Sequence, residues 1–343
     1  MARILVTGGT GYIGSHTVVE LMQQGYEVTI VDNLSNSNVD VLEGIASIVG
    51  KRPDFENIDC NDFVNLDSIF KQYSDIVGVI HFAASKAVGE SVQKPLLYYR
   101  NNLGSLITLL EVMKRHRVSN IVFSSSCTVY GQPDKEHLPV DETAPRQKAL
   151  SPYGNTKQIN EDIIIDEAHA NADPHATILR YFNPIGAHPS ALIGELPNGI
   201  PNNLLPFVTQ TAAGLRQELK VFGNDYDTPD GSCIRDYIYV VDLAKAHVKA
   251  IERMLAGTPE EQVEIFNLGT GRGLSVLEIV RDFIEATGVN VPYQIVGRRE
   301  GDIEKVWANP AKANTVLGWS ADTPVKDVLL SAWNWEKRLR NIK

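Results

Sequence analysis

The 343-residue sequence predicts an α/β fold, a doubly wound parallel sheet covered by helices on both faces and followed by a smaller C-terminal α/β domain. Three observations carry this prediction. Short β-branched apolar runs alternate with longer amphipathic stretches over the first two thirds of the chain. A bare glycine turn joins the first such run to the first helix-like stretch. After about Tyr181 the connections become rich in proline and glycine, as in Asn183-Pro184-Ile185-Gly186, Gly199-Ile200-Pro201 and Thr228-Pro229-Asp230-Gly231, and the elements between them shorten.

Taken in order, the strands are expected at 3–8, 28–33, 54–59, 77–84, 120–126 and 177–182. Helices are expected at 12–25, 65–73, 95–116 and 152–171, with Asn, Asp, Ser, Gly or Pro at many of the joins. The expected division is 1–182 for the first domain and 183–343 for the second. The two are interleaved, because 265–271 reads as a segment that returns to the first sheet. A cleft is expected where they meet.

Composition narrows the function. With 43% hydrophobic and 22% charged residues, the chain can bury roughly three quarters of its unfolded surface, which excludes disordered and fibrous classes. The 32 Lys and Arg against 42 Asp and Glu leave a net charge of −10, which repels phosphate backbones and anionic lipids, so neither nucleic acid nor membrane is an expected partner. A few arginines still suffice for one small anion. No stretch approaches the roughly 20 apolar residues of a membrane span. The run Ile4-Leu5-Val6 is too short for a signal-peptide core. Cys60, Cys127 and Cys233 are too few, too scattered and odd in number for a disulfide framework or a close-spaced zinc site, and a reducing, cytoplasmic setting is expected. His16 and His81 have no ligand partners at zinc spacing, so no metal is expected.

Gly8, Gly11 and Gly14 follow the first strand and open a helix, where missing side chains let amide N–H groups and the helix dipole face a pyrophosphate. Asp32 ends the second strand 18 positions after Gly14, placed to accept bonds from both hydroxyls of an adenosine ribose. Its charge would repel a 2′-phosphate, which favours NAD over NADP. The competing reading of Asp32 is a helix N-cap.

Further along, Ser124-Ser125-Ser126 ends the fifth strand, and Tyr153 and Lys157 stand four apart at the start of a helix, leaving the same face. A phenol is a weak base at neutral pH, but an ammonium and a nicotinamide cation beside it favour phenolate. Ser126 would hydrogen-bond the substrate hydroxyl that Tyr153 deprotonates. Read alone, such a Tyr/Lys pair is a solvated helix face; the glycine turn and the serine-ended strand favour the catalytic reading.

The spacing G-x-x-G-x-x-G together with Ser126, Tyr153 and Lys157 resembles the extended short-chain dehydrogenase/reductase superfamily, with its Rossmann sheet. The resemblance implies further NAD contacts from Tyr12, Ile13, Asn33, Asn36, Ser37, Asp59, Cys60, Phe82, Ala83, Lys86, Asn101, Ser124, Tyr181 and Phe182. Longer strings, among them Lys86-Ala87-Val88-Gly89-Glu90-Ser91, Arg180-Tyr181-Phe182-Asn183-Pro184, Gly199-Ile200-Pro201-Asn202-Asn203-Leu204, Arg235-Asp236-Tyr237 and Arg299-Glu300-Gly301-Asp302, span nearly the whole chain and resemble the UDP-galactose 4-epimerase family.

This second resemblance implies a nucleotide-sugar pocket in the C-terminal domain. Lys86, Ser126, Tyr153, Asn183, Asn202, Asn203, Leu204, Phe222 and Tyr237 would line it, Arg235 and Arg299 would bind the diphosphate, and Asp302 a uridine ribose hydroxyl. It also implies reversible exchange of UDP-glucose and UDP-galactose through a transient 4-keto sugar and NADH, on NAD that stays bound. A homodimer through the helices at 95–116 and 152–171 is implied as well. The sequence departs from the family's common bacterial pattern at Val306, where a tyrosine is usual. A smaller residue there implies acceptance of UDP-N-acetylglucosamine and UDP-N-acetylgalactosamine; the competing reading is packing without effect on specificity. Three further readings stay open: a nucleotide-sugar 4,6-dehydratase, disfavoured because Cys127-Thr128 replaces the Asp-Glu such chemistry uses; a non-catalytic NAD-binding regulatory protein; and a simple alcohol dehydrogenase, which would accumulate NADH with substrate.

Overall fold

A computed structural model describes residues 2–299 and 302–342. Glu300 and Gly301, the centre of one of the strings above, lie outside the described residues. Strand β1 (Arg3–Thr7) shows how the large sheet is built. Successive side chains point to opposite faces, so Ile4 and Val6 enter one apolar core while Leu5 enters another, and all three are fully buried. A strand buried on both faces needs a continuous apolar run, and this one has it.

Helix α1 (Tyr12–Gln23) leads to β2 (Glu27–Val31), α2 (Val41–Val49), β3 (Asp54–Glu56), α3 (Phe63–Gln72) and β4 (Ile76–His81). Then come α4 (Val88–Gln93), α5 (Pro95–His116), β5 (Asn120–Ser124), α6 (Pro152–Ala170) and β6 (His175–Tyr181). The strands differ from the sequence expectation mainly at their C-terminal ends. Strand β5 stops at Ser124, and Ser126 instead caps a 3₁₀ turn at Cys127–Tyr130 with its hydroxyl accepting from the Thr128 amide. Strand β4 stops at His81, so Phe82 and Ala83 belong to the loop beyond it. Such ends belong to the loops that build sites in sheets of this type.

Past β6 the chain forms β7 (Asn183–Ile185), α7 (Leu204–Ala212), β8 (Leu219–Phe222), β9 (Ile234–Tyr239), α8 (Val240–Leu255) and β10 (Val263–Leu268). It ends with β11 (Gly273–Ser275), α9 (Val276–Thr287), β12 (Tyr293–Val296), β13 (Lys305–Val306) and α10 (Val325–Arg340). The seven-stranded sheet runs β10-β6-β5-β4-β1-β2-β3, every pair parallel. Strand order reverses between β1 and β4, which opens a crevice at their C-terminal ends. Helices α1, α2 and α8 cover one face and α3, α5 and α6 the other. A four-stranded sheet of β11, β9, β13 and β7 packs with α7, α9 and α10 around a separate core that includes Ile185, Val208, Phe283, Leu329 and Trp333. A small apolar cluster of Val129, Tyr130, Val140, Phe182, Val306 and Ala308 joins the two parts beside the crevice.

Candidate active site

The turn from β1 to α1 separates the roles of its three glycines. Gly8 has a positive φ of 71°, and a Cβ there would lie 2.8 Å from the Ala83 amide nitrogen. At Gly14 a Cβ would strike the Gly8 carbonyl oxygen and stand 2.9 Å from Gly9 Cα. Both are therefore bare because the chain packs against itself. Gly11 meets only the Gly8 carbonyl oxygen, at 3.1 Å, so its open side is the one left for a ligand. As N-cap of α1, Gly11 offers no capping side chain, and the first turn carries no acidic residue, so nothing there competes for the amide groups. Ile13 is half-buried against the core behind the turn. Tyr12 turns its side chain away, donating to the Gly186 carbonyl at 2.6 Å and tying the start of α1 to the C-terminal part.

Asp32, buried at the end of β2, accepts from the Thr10 amide at 3.2 Å, the Leu34 amide at 2.9 Å and the Ser37 hydroxyl at 3.3 Å. It caps no helix; these bonds aim the carboxylate over the glycine turn. Asp59 accepts from the Asn61 amide and side chain, both at 2.8 Å, and from Asn33 at 3.2 Å. Burial raises its pKa less than these three bonds lower it, and the net shift is downward. Cys60 is buried beside it, its thiol pushed up by burial. Asn36 is exposed. Across the crevice, Phe82 and Ala83 are tied to Thr7, and Asn101 donates to the Ser85 hydroxyl at 3.1 Å. Lys86 is exposed at the mouth and lies within electrostatic reach of Glu195.

Tyr153 and Lys157 stand on the first turns of α6, which opens with Ser151 as N-cap, its hydroxyl accepting from the Gly154 amide at 3.1 Å, and Pro152 at the first helical position. Lys157 Nζ donates to the Ser124 carbonyl at 2.6 Å, 4.9 Å from the Phe123 ring centroid and 5.9 Å from that of Tyr153. Burial lowers the lysine to about 8, opposed by Glu161. Burial also raises Tyr153 well above the ordinary phenol value, with the neighbouring Tyr181 hydroxyl adding to the rise and a hydrogen bond with Ser126 opposing it. Tyr181 exchanges a hydrogen bond with the Ser124 hydroxyl at 2.9 Å. His81 lies beneath, bonded to Thr7 at 2.7 Å and kept neutral by burial, with a pKa of about 3.

The opposite wall is gathered by β9. Its Tyr237 pairs in register with Asn183 of β7, and its Arg235 with Val306 of β13. Among the described residues the Arg235 side chain bonds only its neighbour's carbonyl, that of Ile234, at 2.8 Å, and lies within electrostatic reach of Cys127, the residue after Ser126. Val306 has 3% exposure and packs with Phe182, Val129 and Tyr130. Arg299 donates to Asp302 at 2.6 Å with its guanidinium 5.3 Å from the Phe222 ring centroid. Asn203 caps α7 and donates to Glu195 at 2.6 Å; Leu204 follows it, half-buried, and Asn202 is exposed.

A family model described as GDP-mannose 4,6 dehydratase matches residues 5–331. A UDP-glucose 4-epimerase of Dictyostelium discoideum is 50% identical over 97% of this chain and 95% of its own length. The chain belongs to the UDP-glucose 4-epimerase family. A bifunctional protein of Pachysolen tannophilus is 51% identical over 98% of this chain, which spans about half, 49%, of that longer relative. Among solved structures, a UDP-glucose 4-epimerase of Stenotrophomonas maltophila with bound NAD and formylated UDP-arabinopyranose superposes with a TM-score of 0.96 at 46% identity, covering all of both chains.

Several residues outside the expected set brace the candidate site. Thr10 shares a 2.7 Å bond with Ser37 and braces the Asp32 loop. Glu195 meets both Asn203 and the field of Lys86. Glu161, fully buried, is one turn beyond Lys157 on the same helix face. Only the last left a signal: the spacing 153, 157, 161 continues one face of α6 with a carboxylate where a core residue is expected.

Proposed function

We propose that the protein is an NAD-dependent UDP-glucose 4-epimerase that interconverts UDP-glucose and UDP-galactose. The observation that carries this reading is the convergence of Ser126, Tyr153 and Lys157 beside the glycine turn, in a chain whose full-length relatives carry that name. The residues fit the cofactor: the uncapped first turn of α1 suits a pyrophosphate and the Asp32 carboxylate an adenosine ribose. When bound, NAD supplies the hydride acceptor and donor that oxidation and reduction at sugar C4 require.

Tyr153 Oη takes the proton of the sugar 4-hydroxyl, and Ser126 Oγ holds that oxygen in line. Because burial alone disfavours phenolate at Tyr153, the Lys157 ammonium 5.9 Å from its ring centroid supplies the positive charge that makes proton removal feasible. Arg235 and Arg299 grip the diphosphate through charge-assisted bonds, and Asp302 the uridine ribose. The sugar, held weakly among Lys86, Asn183, Asn202, Asn203, Leu204, Phe222 and Tyr237, turns over between the two halves of the reaction while its nucleotide stays anchored. Tyr153 then returns the proton to the C4 oxygen presented from the opposite face. Cys127 and Thr128 after Ser126 have no carboxyl for elimination of water, which disfavours the dehydratase reading.

The substrate range of this reading includes UDP-N-acetylglucosamine and UDP-N-acetylgalactosamine, because the valine at 306 is smaller than the tyrosine usual there, although Val306 itself is buried against Phe182, Val129 and Tyr130. We place the UDP-sugar domain at 183–343, interleaved with the NAD domain at 1–182 through α8 and β10. The working form in this reading is a homodimer in a reducing, cytoplasmic compartment. Exposed Leu96, Leu97 and Ile107 on α5 offer the apolar surface a dimer would cover, and Cys60, Cys127 and Cys233 are free thiols. Among the described residues no helix is long and apolar enough to cross a membrane.

The test is to mix the purified protein, with no NAD added, separately with UDP-galactose and UDP-N-acetylgalactosamine and follow the anomeric protons by NMR. Conversion of UDP-galactose is expected, and continued silence after NAD is added defeats the epimerase reading. Val306→Tyr should lower the rate on the acetylated sugar relative to the plain one; an unchanged ratio defeats the pocket argument.

A further inference from the structure

Between the two serines that contact the catalytic residues stands Ser125, fully buried and aimed the other way. Its amide donates to the Leu179 carbonyl at 2.9 Å, and its hydroxyl donates to Glu161 Oε1 at 2.6 Å. The Glu161 carboxylate is itself gripped by Arg180, Nε to Oε1 at 2.9 Å and Nη2 to Oε2 at 2.6 Å. Arg180 also donates to the Tyr130 hydroxyl at 2.9 Å, which donates to Asn267 Oδ1 at 2.7 Å, and Asn267 donates to the Val140 carbonyl at 2.9 Å. Arg146 reaches within 3.6 Å of the same carboxylate from outside. Glu161 is fully buried and Arg180 has 4% exposure. A buried ion pair of this kind adds little stability over an apolar pair of the same size, so its value is sought in what it fixes.

What it fixes is the relation between two elements. Glu161 lies on α6, one turn past Lys157, and Ser125 lies between the carbonyl that receives Lys157 and the hydroxyl that bonds Tyr153. We infer that Glu161, clamped by Arg180, is a positioning residue: through the Ser125 hydroxyl it holds the end of β5 against α6, so that the Ser124 carbonyl and the Ser126 hydroxyl stay aligned on Lys157 and Tyr153. The inference rests on the catalytic reading of Ser126, Tyr153 and Lys157. A displacement of about 1 Å at reacting groups is enough to cost on the order of a hundredfold in rate. The diphosphate and uridine contacts, on β9 and beyond, lie outside this brace.

Ser125→Ala removes the link and leaves the ion pair whole, so it tests the brace with little risk to folding. Its kcat on UDP-galactose should fall roughly tenfold or more, with KM and bound-UDP affinity by calorimetry unchanged and the melting temperature within about 4 °C of the parent. In a Glu161→Met background, which leaves the Ser125 hydroxyl no acceptor at position 161, the same change should cost no further kcat; additive losses overturn the proposal. Wild-type kcat in Ser125→Ala overturns it, as does a parallel loss of kcat, UDP affinity and melting temperature, which is the mark of general destabilisation. Tyr153→Phe, assayed alongside, keeps the two readings apart. If it is inactive while Ser125→Ala runs at full rate, only the brace falls. If Tyr153→Phe itself runs at full rate, the catalytic reading falls and takes the brace with it.

Discussion

On the wall of the crevice formed by the ends of β1, β2, β4 and β5, many of the proposed cofactor contacts lie within a few positions of the strand that carries them. Gly8 follows β1, Asp32 follows β2, and Phe82 and Ala83 follow β4. On the facing wall, β9 brings Asn183, Arg235, Tyr237 and Val306 side by side from three separate segments. The first wall is a local product of strand-turn-helix units, whose turns need particular residues at particular places. The second exists only once a strand register is set. In the proposed reaction, a cofactor that stays bound suits a wall of local turns, and a sugar that turns over suits one assembled from short strands and loops.

The sharpest way to break this contrast is at the junction. Lys157→Met should lower kcat by roughly 10²–10⁴-fold, the range for losing assisted proton transfer, with KM for UDP-galactose little changed. Steady-state kinetics on both UDP-sugars checks it, and a loss confined to KM would move Lys157 to the substrate wall.

Next in size is the glycine turn. Gly14→Ala drives a Cβ into the Gly8 carbonyl and should cost about 1–3 kcal/mol of stability, seen as a lower denaturant midpoint. Gly11→Ala, crowded only by one carbonyl oxygen, should keep the midpoint of the NAD-stripped protein and instead lower the NAD content of the protein as purified, read from its absorbance. Equal midpoints for the two variants would erase the distinction between glycines that serve the chain and the one that serves the ligand.

On the facing wall, Arg235→Ala should raise KM for UDP-galactose by roughly ten- to a hundredfold, as expected for charge-assisted bonds of about 1.5–3 kcal/mol. Arg299→Ala should cost less, because its side chain is 59% exposed and already paired with Asp302. The reverse order would mean that β9 is not the anchor of the nucleotide.

The smallest effect is a pH dependence of stability. Lys157 falls from 10.5 to about 8 on burial in the fold. Between those values the unfolded chain holds a proton that the folded one has released, so this residue makes stability rise with pH through that window. The denaturant midpoint at about pH 10 minus that at about pH 7 should therefore be less positive in Lys157→Met than in the parent, and an unchanged difference removes the effect of burial.

How far the site could be read from the residues follows the same division. The glycine spacing, Asp32, and the pair Tyr153 and Lys157 are contained in single turns of chain, where sequence distance is spatial distance. Helix α2 was missed, and α8 lay in a region where no element was placed. That helix is buried along most of its length, yet the strand before it, β9, lies in the smaller sheet and the strand after it, β10, in the large one, so its place in sequence does not tell which sheet it covers. Tyr12 is expected from the resemblance as an NAD contact; that its hydroxyl also reaches Gly186 far along the chain is visible only in the structure. The brace of Ser125, Glu161 and Arg180 unites residues from β5, α6 and β6 whose individual identities are unremarkable.

By itself, then, the sequence determined the doubly wound sheet, the glycine turn and the Tyr153/Lys157 pair proposed for proton transfer, because period-2 apolar runs, bare turns and i,i+4 spacing are properties of neighbouring residues. The tertiary structure alone decided which carboxylate bonds Ser125, which arginine stands beside Val306, and which glycines pack against the chain. Those depend on strand register and on buried charges finding partners, and both are set by contacts between segments that the order of residues leaves far apart.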